Sequence, residues 1–266
     1  MKSKRSVLSQ TKEQSLMKGG LSMFRYVMMF VVLMAAVLLI GCVPEDRHIV
    51  VDGSGAVVTQ ERPLSGFDRV QASQCFQVDI RQGEEFSVVV RIDEELVEYL
   101  DVVKRGDTLS IGLKPDYSYT FQDATMQAEV TMPELARLDL SGASRATITG
   151  FESEKALEVE LSGSSSLRGT IRAGDTTFDV SGSSRVSLTG SARDLAVRAS
   201  GSSAVNLSDF PSADVSVQSS GASEVRVDVS GRLQVKASGA SEISYHGDPT
   251  LTRVETSGSS SLSQEG

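Results

Sequence analysis

The chain has no tryptophan, two histidines and two cysteines among its 266 residues. Aromatic residues make up only 5% of it, too few for a stacking platform for bases or sugars. The two histidines, His48 and His246, stand near opposite ends of the sequence. A zinc site needs clustered Cys and His, so none is expected. A serine nucleophile needs a base beside it, and the chain has neither a spare histidine nor a Gly-x-Ser-x-Gly elbow. Gly-rich phosphate loops with lysine and Asp/Asn clusters with calcium-loop spacing are also missing. His246 beside Asp248 reads as a solvent-exposed loop pair. We expect no catalytic residue, no metal and no cofactor.

Positive charge is scarce: 26 Lys and Arg stand against 35 Asp and Glu. Six of those 26 precede an apolar run from Tyr26 to Ile40. A basic start, an apolar middle and a small residue before a cut describe a secretory signal. That run is shorter than the roughly 20 residues a spanning helix needs. Leu39-Ile40-Gly41-Cys42 looks like the lipobox of bacterial lipoproteins, in which cleavage precedes the cysteine and the thiol is lipidated. Residues 1–41 are therefore expected to be a lipoprotein signal peptide, with Cys42 the lipidation site and residues 42–62 a flexible tether. Met23 would open a more ordinary signal than Met1. Several acyl chains on one cysteine hold a protein to a membrane far better than one. Val43 in place of Asp after the cysteine favours the outer membrane if the cell is Gram-negative. Without residues 1–41 the net charge falls from −9 to near −14, which disfavours nucleic acid as a partner. Cys75 is then alone, and its alternating surroundings, Gln74 to Ile80, read as a strand holding a small buried hydrophobe.

What the chain does have is repetition. Ser-Gly-Ala/Ser-Ser occurs seven times, starting at Ser141, Ser162, Ser181, Ser200, Ser220, Ser238 and Ser257. The starts advance by 21, 19, 19, 20, 18 and 19 positions. A period near 19 marks stacked units, each too small to bury its own apolar face. Pairs such as Phe178 and Val180 before the motif, and Val186 and Leu188 after it, alternate as strands do. The fold class expected is all-β: a right-handed, single-stranded parallel β-helix, or solenoid, over residues 135–266. Gly142, Gly163, Gly182, Gly201, Gly221, Gly239 and Gly258 would sit one above another as structural turns, where positive φ is needed. Six to seven rungs would give a rod about 30 Å long. The serines read as local corner hydrogen bonders rather than a ligand-binding ladder.

Residues 63–134 are less regular and form an N-terminal β section. Strands are expected around Phe76–Ile80, Phe86–Ile92, Thr108–Leu113 and Met126–Met132, with one short helix or turn between Asp93 and Val103. The charged residues Asp175, Asp179, Arg185, Arg193, Asp194 and Arg198 are the candidates for a polysaccharide-cleaving cluster of the kind some β-helices carry. They read as scattered surface charge, not stacked at the repeat period.

Ser65-Gly66-Phe67-Asp68-Arg69-Val70, Phe76 to Gly83, Leu109-Ser110-Ile111, Thr131 to Leu135, the seven repeats and Ile243 to Pro249 together resemble the putative autotransporter adhesin head GIN domain family. The likeness runs from about residue 63 to 262. It implies a right-handed parallel β-helix in a secreted or lipid-anchored bacterial protein, and it supplies no catalytic residues. The resulting expectation is a membrane-anchored, non-enzymatic envelope lipoprotein that binds surfaces as an adhesin does. Its partners would be the membrane through the anchor, polysaccharide or an envelope protein, and another copy end to end. The alternatives are a structural or stress-related envelope protein that binds other proteins, and a polysaccharide-processing enzyme on a β-helix.

Overall fold

A Ser-Gly-x-Ser corner recurring at one phase, flanked by alternating apolar residues, leaves a strand before each corner and another after it. In the computed structural model, which describes residues 47–265, this pattern builds two walls of parallel strands. The irregular section contributes β1 (Arg47–Asp52), β2 (Val57–Glu61), β3 (Arg69–Ala72), β4 (Gln77–Gln82) and β5 (Ser87–Asp93). A 3-10 turn at Glu94–Tyr99 leads into β6 (Leu100–Arg105), β7 (Thr108–Leu113), β8 (Tyr117–Gln122) and β9 (Met126–Met132). The repeats supply β10 (Arg137–Leu140), β11 (Arg145–Glu152), β12 (Leu157–Leu161), β13 (Ser166–Arg172), β14 (Thr176–Val180), β15 (Arg185–Ser191) and β16 (Asp194–Ala199). They continue with β17 (Ala204–Ser212), β18 (Asp214–Ser219), β19 (Glu224–Val229), β20 (Arg232–Ala237), β21 (Glu242–His246), β22 (Thr250–Thr256) and β23 (Ser261–Gln264).

From β10 onward the chain alternates between the walls. Even-numbered strands stack in a 10-stranded sheet and odd-numbered ones in an 11-stranded sheet. Every neighbour in this stretch is parallel. Inward side chains fall into columns, because side chains in register on parallel strands point the same way. One column runs Val70, Leu138, Val159, Phe178, Val197, Val217, Val235, all of them buried. Facing it, Val78, Ala146, Leu167, Val186, Val205, Val225 and Ile243 form the opposing column.

The N-terminal section is threaded differently from its sequence order. β3 and β4 make a rung, but β7 and β9, later in the chain, stack parallel beneath it. β10 and β11 then return to stack above β3 and β4. Antiparallel strands close this end: β6 against β7, and β5 between β9 and β2.

Three expectations need correction. Residues 47–61 are not tether: β2 pairs with β5, and β1 pairs with β8 in a small separate sheet. Alternation in Val57-Val58-Thr59 finds its partner well along the chain, in β5, which no local signal announces. The short helix or turn expected between Asp93 and Val103 is present as a 3-10 helix at Glu94–Tyr99 but ends sooner than expected, because β6 follows at once and makes Leu100 and Val102 strand residues facing the core. The acid and arginine positions 175, 179, 193, 194 and 198 are stacked rather than scattered, as described below. Cys42 and residues 1–41, the expected signal peptide, lie outside the described residues. Among the described residues no helix is long and apolar enough to cross a membrane.

Candidate functional site

The corners come first, because they fix where everything else points. All seven motif glycines have φ between 71° and 78°. The carbonyls of the first six glycines each accept a hydrogen bond from the residue after the glycine in the next rung, as in Ser183 N to Gly163 O at 2.7 Å and Ala222 N to Gly201 O at 2.8 Å. The ladder of the sheets therefore continues around the bend. A Cβ on Gly201 would stand 2.6 Å from the Gly182 oxygen, so the atom that bonds the rungs also excludes a side chain. The buried last serine of the motif donates back to the carbonyl of the first: Ser165 Oγ to Ser162 O at 2.8 Å, Ser223 Oγ to Ser220 O at 2.7 Å. Ser184 and Ser203 break this pattern: Ser184 Oγ is buried without a partner, and Ser203 Oγ donates to Val180 O at 3.3 Å instead. The serines serve the corner.

An eighth corner precedes the seven and is hidden in the sequence. Ser73-Gln74-Cys75-Phe76 lies directly under Ser141 to Ser144, with Ala143 N bonded to Gln74 O. Gln74 adopts φ 60° in the glycine's place. Its side chain accepts from Ser73 Oγ at 2.6 Å and from Leu113 N at 3.2 Å, tying the corner to β7. Cys75 takes the Ala/Ser position. It is half-buried, and burial pushes its thiol pKa above the usual value, partly offset by Arg145. A raised pKa means little thiolate, so this is a packing cysteine.

Charge on the outer face of the 10-stranded wall is ordered by register. Asp194 pairs with Asp214 across β16 and β18. Asp175 holds the corresponding place one rung earlier, just before Thr176, which pairs with Leu195. Arg193 binds Asp175 at 2.7 Å and Arg232 binds Asp214 at 2.5 Å. The arginine beside each holds both carboxyls below their ordinary value of 3.8. Asp179 and Arg198 are also register neighbours. Nearer the N-terminal end Arg137 reaches Asp139, Glu158 and Glu160 at 2.9, 2.6 and 2.7 Å. These carboxylates are largely neutralised by their own arginines, which is ion-pair lacing and not an acid cluster awaiting a ligand. Arg185 lies on the other wall, in β15. Among the described residues no group of three or more His, Cys, Asp and Glu is placed to hold a metal.

The opposite wall differs. Where antiparallel β5 and β9 meet parallel β4, β11 and β13, the outer face is concave. The cleft holds about 390 Å³. Register sets Gln127, Gln77 and Arg145 in one row and Glu129, Asp79, Thr147 and Arg168 in the next. Arg91 closes the β5 side and is neutralised by Glu129 at 2.8 Å. Arg145 and Arg168 are exposed and hold no ion pair among the described residues. Two guanidiniums without ion pairs, each a planar fork of donors, lie with two amides, a hydroxyl and the Asp79 carboxylate, and together suit an oxyanion carried on a hydroxylated ligand. Sequence reading passed over these residues because they belong to five different strands. Their only shared signal is the outward phase of each strand.

Aromatic residues also gather more than their number suggests. Tyr117, Tyr119 and Phe121 alternate along β8 and meet Tyr99, with ring centroids 5.1 to 6.2 Å apart. The rings are half-buried and pack β8 onto the section below. Tyr119 donates to Lys114 O at 2.8 Å, and burial pushes its pKa up to about 12. His48, in β1, bridges Ser118 and Thr120 of β8. His246 lies far along the solenoid in β21, opposite Asp228.

Together these features define a two-walled β-solenoid with a shallow depression on its outer face, lined by three arginines and two carboxylates. The chain belongs to the family described as putative auto-transporter adhesin, head GIN domain, whose sequence profile matches residues 66–249. Solved structures share the fold. A protein from Parabacteroides distasonis, titled a putative lipid binding protein, is 21% identical with a TM-score of 0.68, covering 82% of this chain and 100% of its own. A putative adhesin from Bacteroides fragilis is 16% identical with a TM-score of 0.68, covering 80% and 98%. Another from Parabacteroides merdae is 15% identical with a TM-score of 0.62, covering 82% and 99%. No protein with a curated description matches the chain.

Proposed function

We propose that this protein is a non-catalytic, envelope-anchored binding module, and that it takes an acidic polysaccharide at the cleft between β5 and β13. The carrying observation is the pair Arg145 and Arg168, cations without internal partners in a chain of net charge −9. A cation left unpaired on an acidic surface is a place where an anion is locally favoured although the whole protein repels it. Uronate-type sugars match this chemistry: a carboxylate for the guanidinium fork, hydroxyls for Gln77, Gln127 and Thr147. The shallow site fits an adhesin that gains strength from many weak contacts along a polymer. Lipidation at Cys42 would place the module on the membrane, and Val43 favours the outer one if the cell is Gram-negative.

Calorimetric titration with polygalacturonate, and with neutral dextran as the control, tests the reading. Binding to the acidic polymer is expected to weaken at least tenfold in Arg145→Ala/Arg168→Ala, to fall with added salt, and to produce no shorter oligosaccharides. Equal binding of both polymers, or an unaffected double variant, would overturn it.

A further inference from the structure

The two ends of the solenoid are finished differently. At the N-terminal end the edge strand β6 turns Leu100 and Val102 inward, and both are at most 9% exposed. At the other end β22 is the edge of the 10-stranded sheet, and every one of its residues is exposed, with Leu251 at 48% and Val254 at 44%. These two side chains continue the inward columns of Leu233 and Val235. Beyond β22 and β23 no described strand lies, so their outward N–H and C=O groups face an unfilled position. Such an edge is a template for another strand unless something blocks it. The usual blocks are scarce here. β22 contains no proline and no inward charge. Its one irregularity, the shift near Thr252, leaves Arg253 to Thr256 in regular register.

We propose that this end pairs with the same end of a second copy of the chain, β22 against β22 in antiparallel fashion about a two-fold axis through Val254. The charges of β22 select this occupant. With Val254 opposite its own counterpart, residue 253 of one copy faces residue 255 of the other. Arg253 then meets Glu255, and Glu255 meets Arg253, on the outer face. On the inner face Val254 covers Val254. Within one copy Arg253 and Glu255 already lie 2.5 Å apart on that same outer face, so both side chains point where the cross-strand contact requires. Opposite charges directly across an antiparallel pair are favourable and like charges unfavourable. A contact that matches itself under two-fold rotation closes after two copies and does not propagate into a fibre. The axis crosses the coil, so it also brings β23, with its partly covered Leu262, alongside its own counterpart. The proposal depends neither on the arginine cleft nor on Cys42.

Charge reversal tests it with the full chain in detergent solution, by sedimentation velocity across a range of concentrations. The unmodified protein is expected to form a dimer. Arg253→Glu places two carboxylates opposite each other at both positions, and Glu255→Arg places two guanidiniums there. Each is expected to raise the dimer dissociation constant at least tenfold. Both side chains are exposed, so folding is unaffected, and circular dichroism checks this. Mixing the two variants in equal amounts restores opposite charges at both positions, so a mixed dimer of near-original affinity is expected. A wild-type protein that stays monomeric, single variants that still dimerise, or a mixture no tighter than its components would each overturn the proposal.

Discussion

Gly201 and Gly150 both need positive φ, at 76° and 85°, yet only Gly201 has a neighbour where its side chain would be. An alanine at Gly150 would meet nothing within 4 Å and would incur only the left-handed backbone cost, about 1–2 kcal/mol. At Gly201 the same change also drives a methyl group into the Gly182 carbonyl and disturbs the bond that oxygen accepts. We expect Gly201→Ala to cost about 1–2 kcal/mol more than Gly150→Ala, the scale of one damaged backbone hydrogen bond together with the steric clash. That difference corresponds to roughly 2–8 °C in melting temperature for a domain of this size. Thermal unfolding followed by circular dichroism compares the two directly. Equal melting temperatures would show that the stacked carbonyls tolerate a methyl group. Residue-scale detail also explains why the eighth corner was hidden. Gln74 reaches φ 60° without being a glycine. Bonds of its own side chain hold it there, so the recognisable motif starts one rung late.

Strands in the repeat region were legible because their partners sit one period away, and the period itself announces the register. β10 to β23 follow from alternation and the glycine phase. β1 and β2 do not, since nothing in Arg47–Asp52 or Val57–Glu61 names its partner; β5 was legible as a strand over Phe86–Ile92, but its antiparallel partners β2 and β9 were not. The arginine cleft was illegible for a related reason: it assembles from outward residues of strands that are consecutive in space but not in sequence. Register also ordered the surface charges, which had looked scattered. Asp214 and Arg232 are one such pair. The carboxyl's pKa is depressed in the folded chain, so the pair's contribution is present above the unfolded carboxylate range and is lost as pH falls through the folded value. Because both groups are exposed, the effect on stability is small and weakened by salt. The titration itself is the better readout. Carboxyl carbon NMR is expected to place the Asp214 midpoint below 3.8 in the native chain, and to move it upward in Arg232→Gln. An unmoved midpoint would mean that the pair does not persist in solution.

On the scale of the molecule, β1 and β2 lie with the antiparallel strands that close one end of the solenoid, and β22 and β23 form the other. A lipid on Cys42, only a short stretch of chain before β1, would leave the β22 end facing away from the membrane. Metabolic labelling with an alkyne fatty acid should therefore tag the protein, and Cys42→Ala should abolish the label and release the chain from the membrane fraction. A labelled Cys42→Ala variant, or an unlabelled native one that still sediments with membranes, would point to another means of attachment. Pairing of two far ends would then join two anchored surfaces, which would make self-recognition a second mode of adhesion beside the proposed binding of acidic polysaccharide.

The corner carbonyls have one more consequence. Each rung bonds only to the rung on either side, through the same atoms at the same phase, so the wall carries no mark of how many rungs it contains. Gain or loss of one whole period, such as the stretch from Ser181 to Ala199, restores every neighbour relation. Half a period would instead lay a strand on the wrong wall. Such a gene can lengthen or shorten its product by tandem duplication or unequal recombination while both ends keep their own surfaces, making reach an adjustable trait.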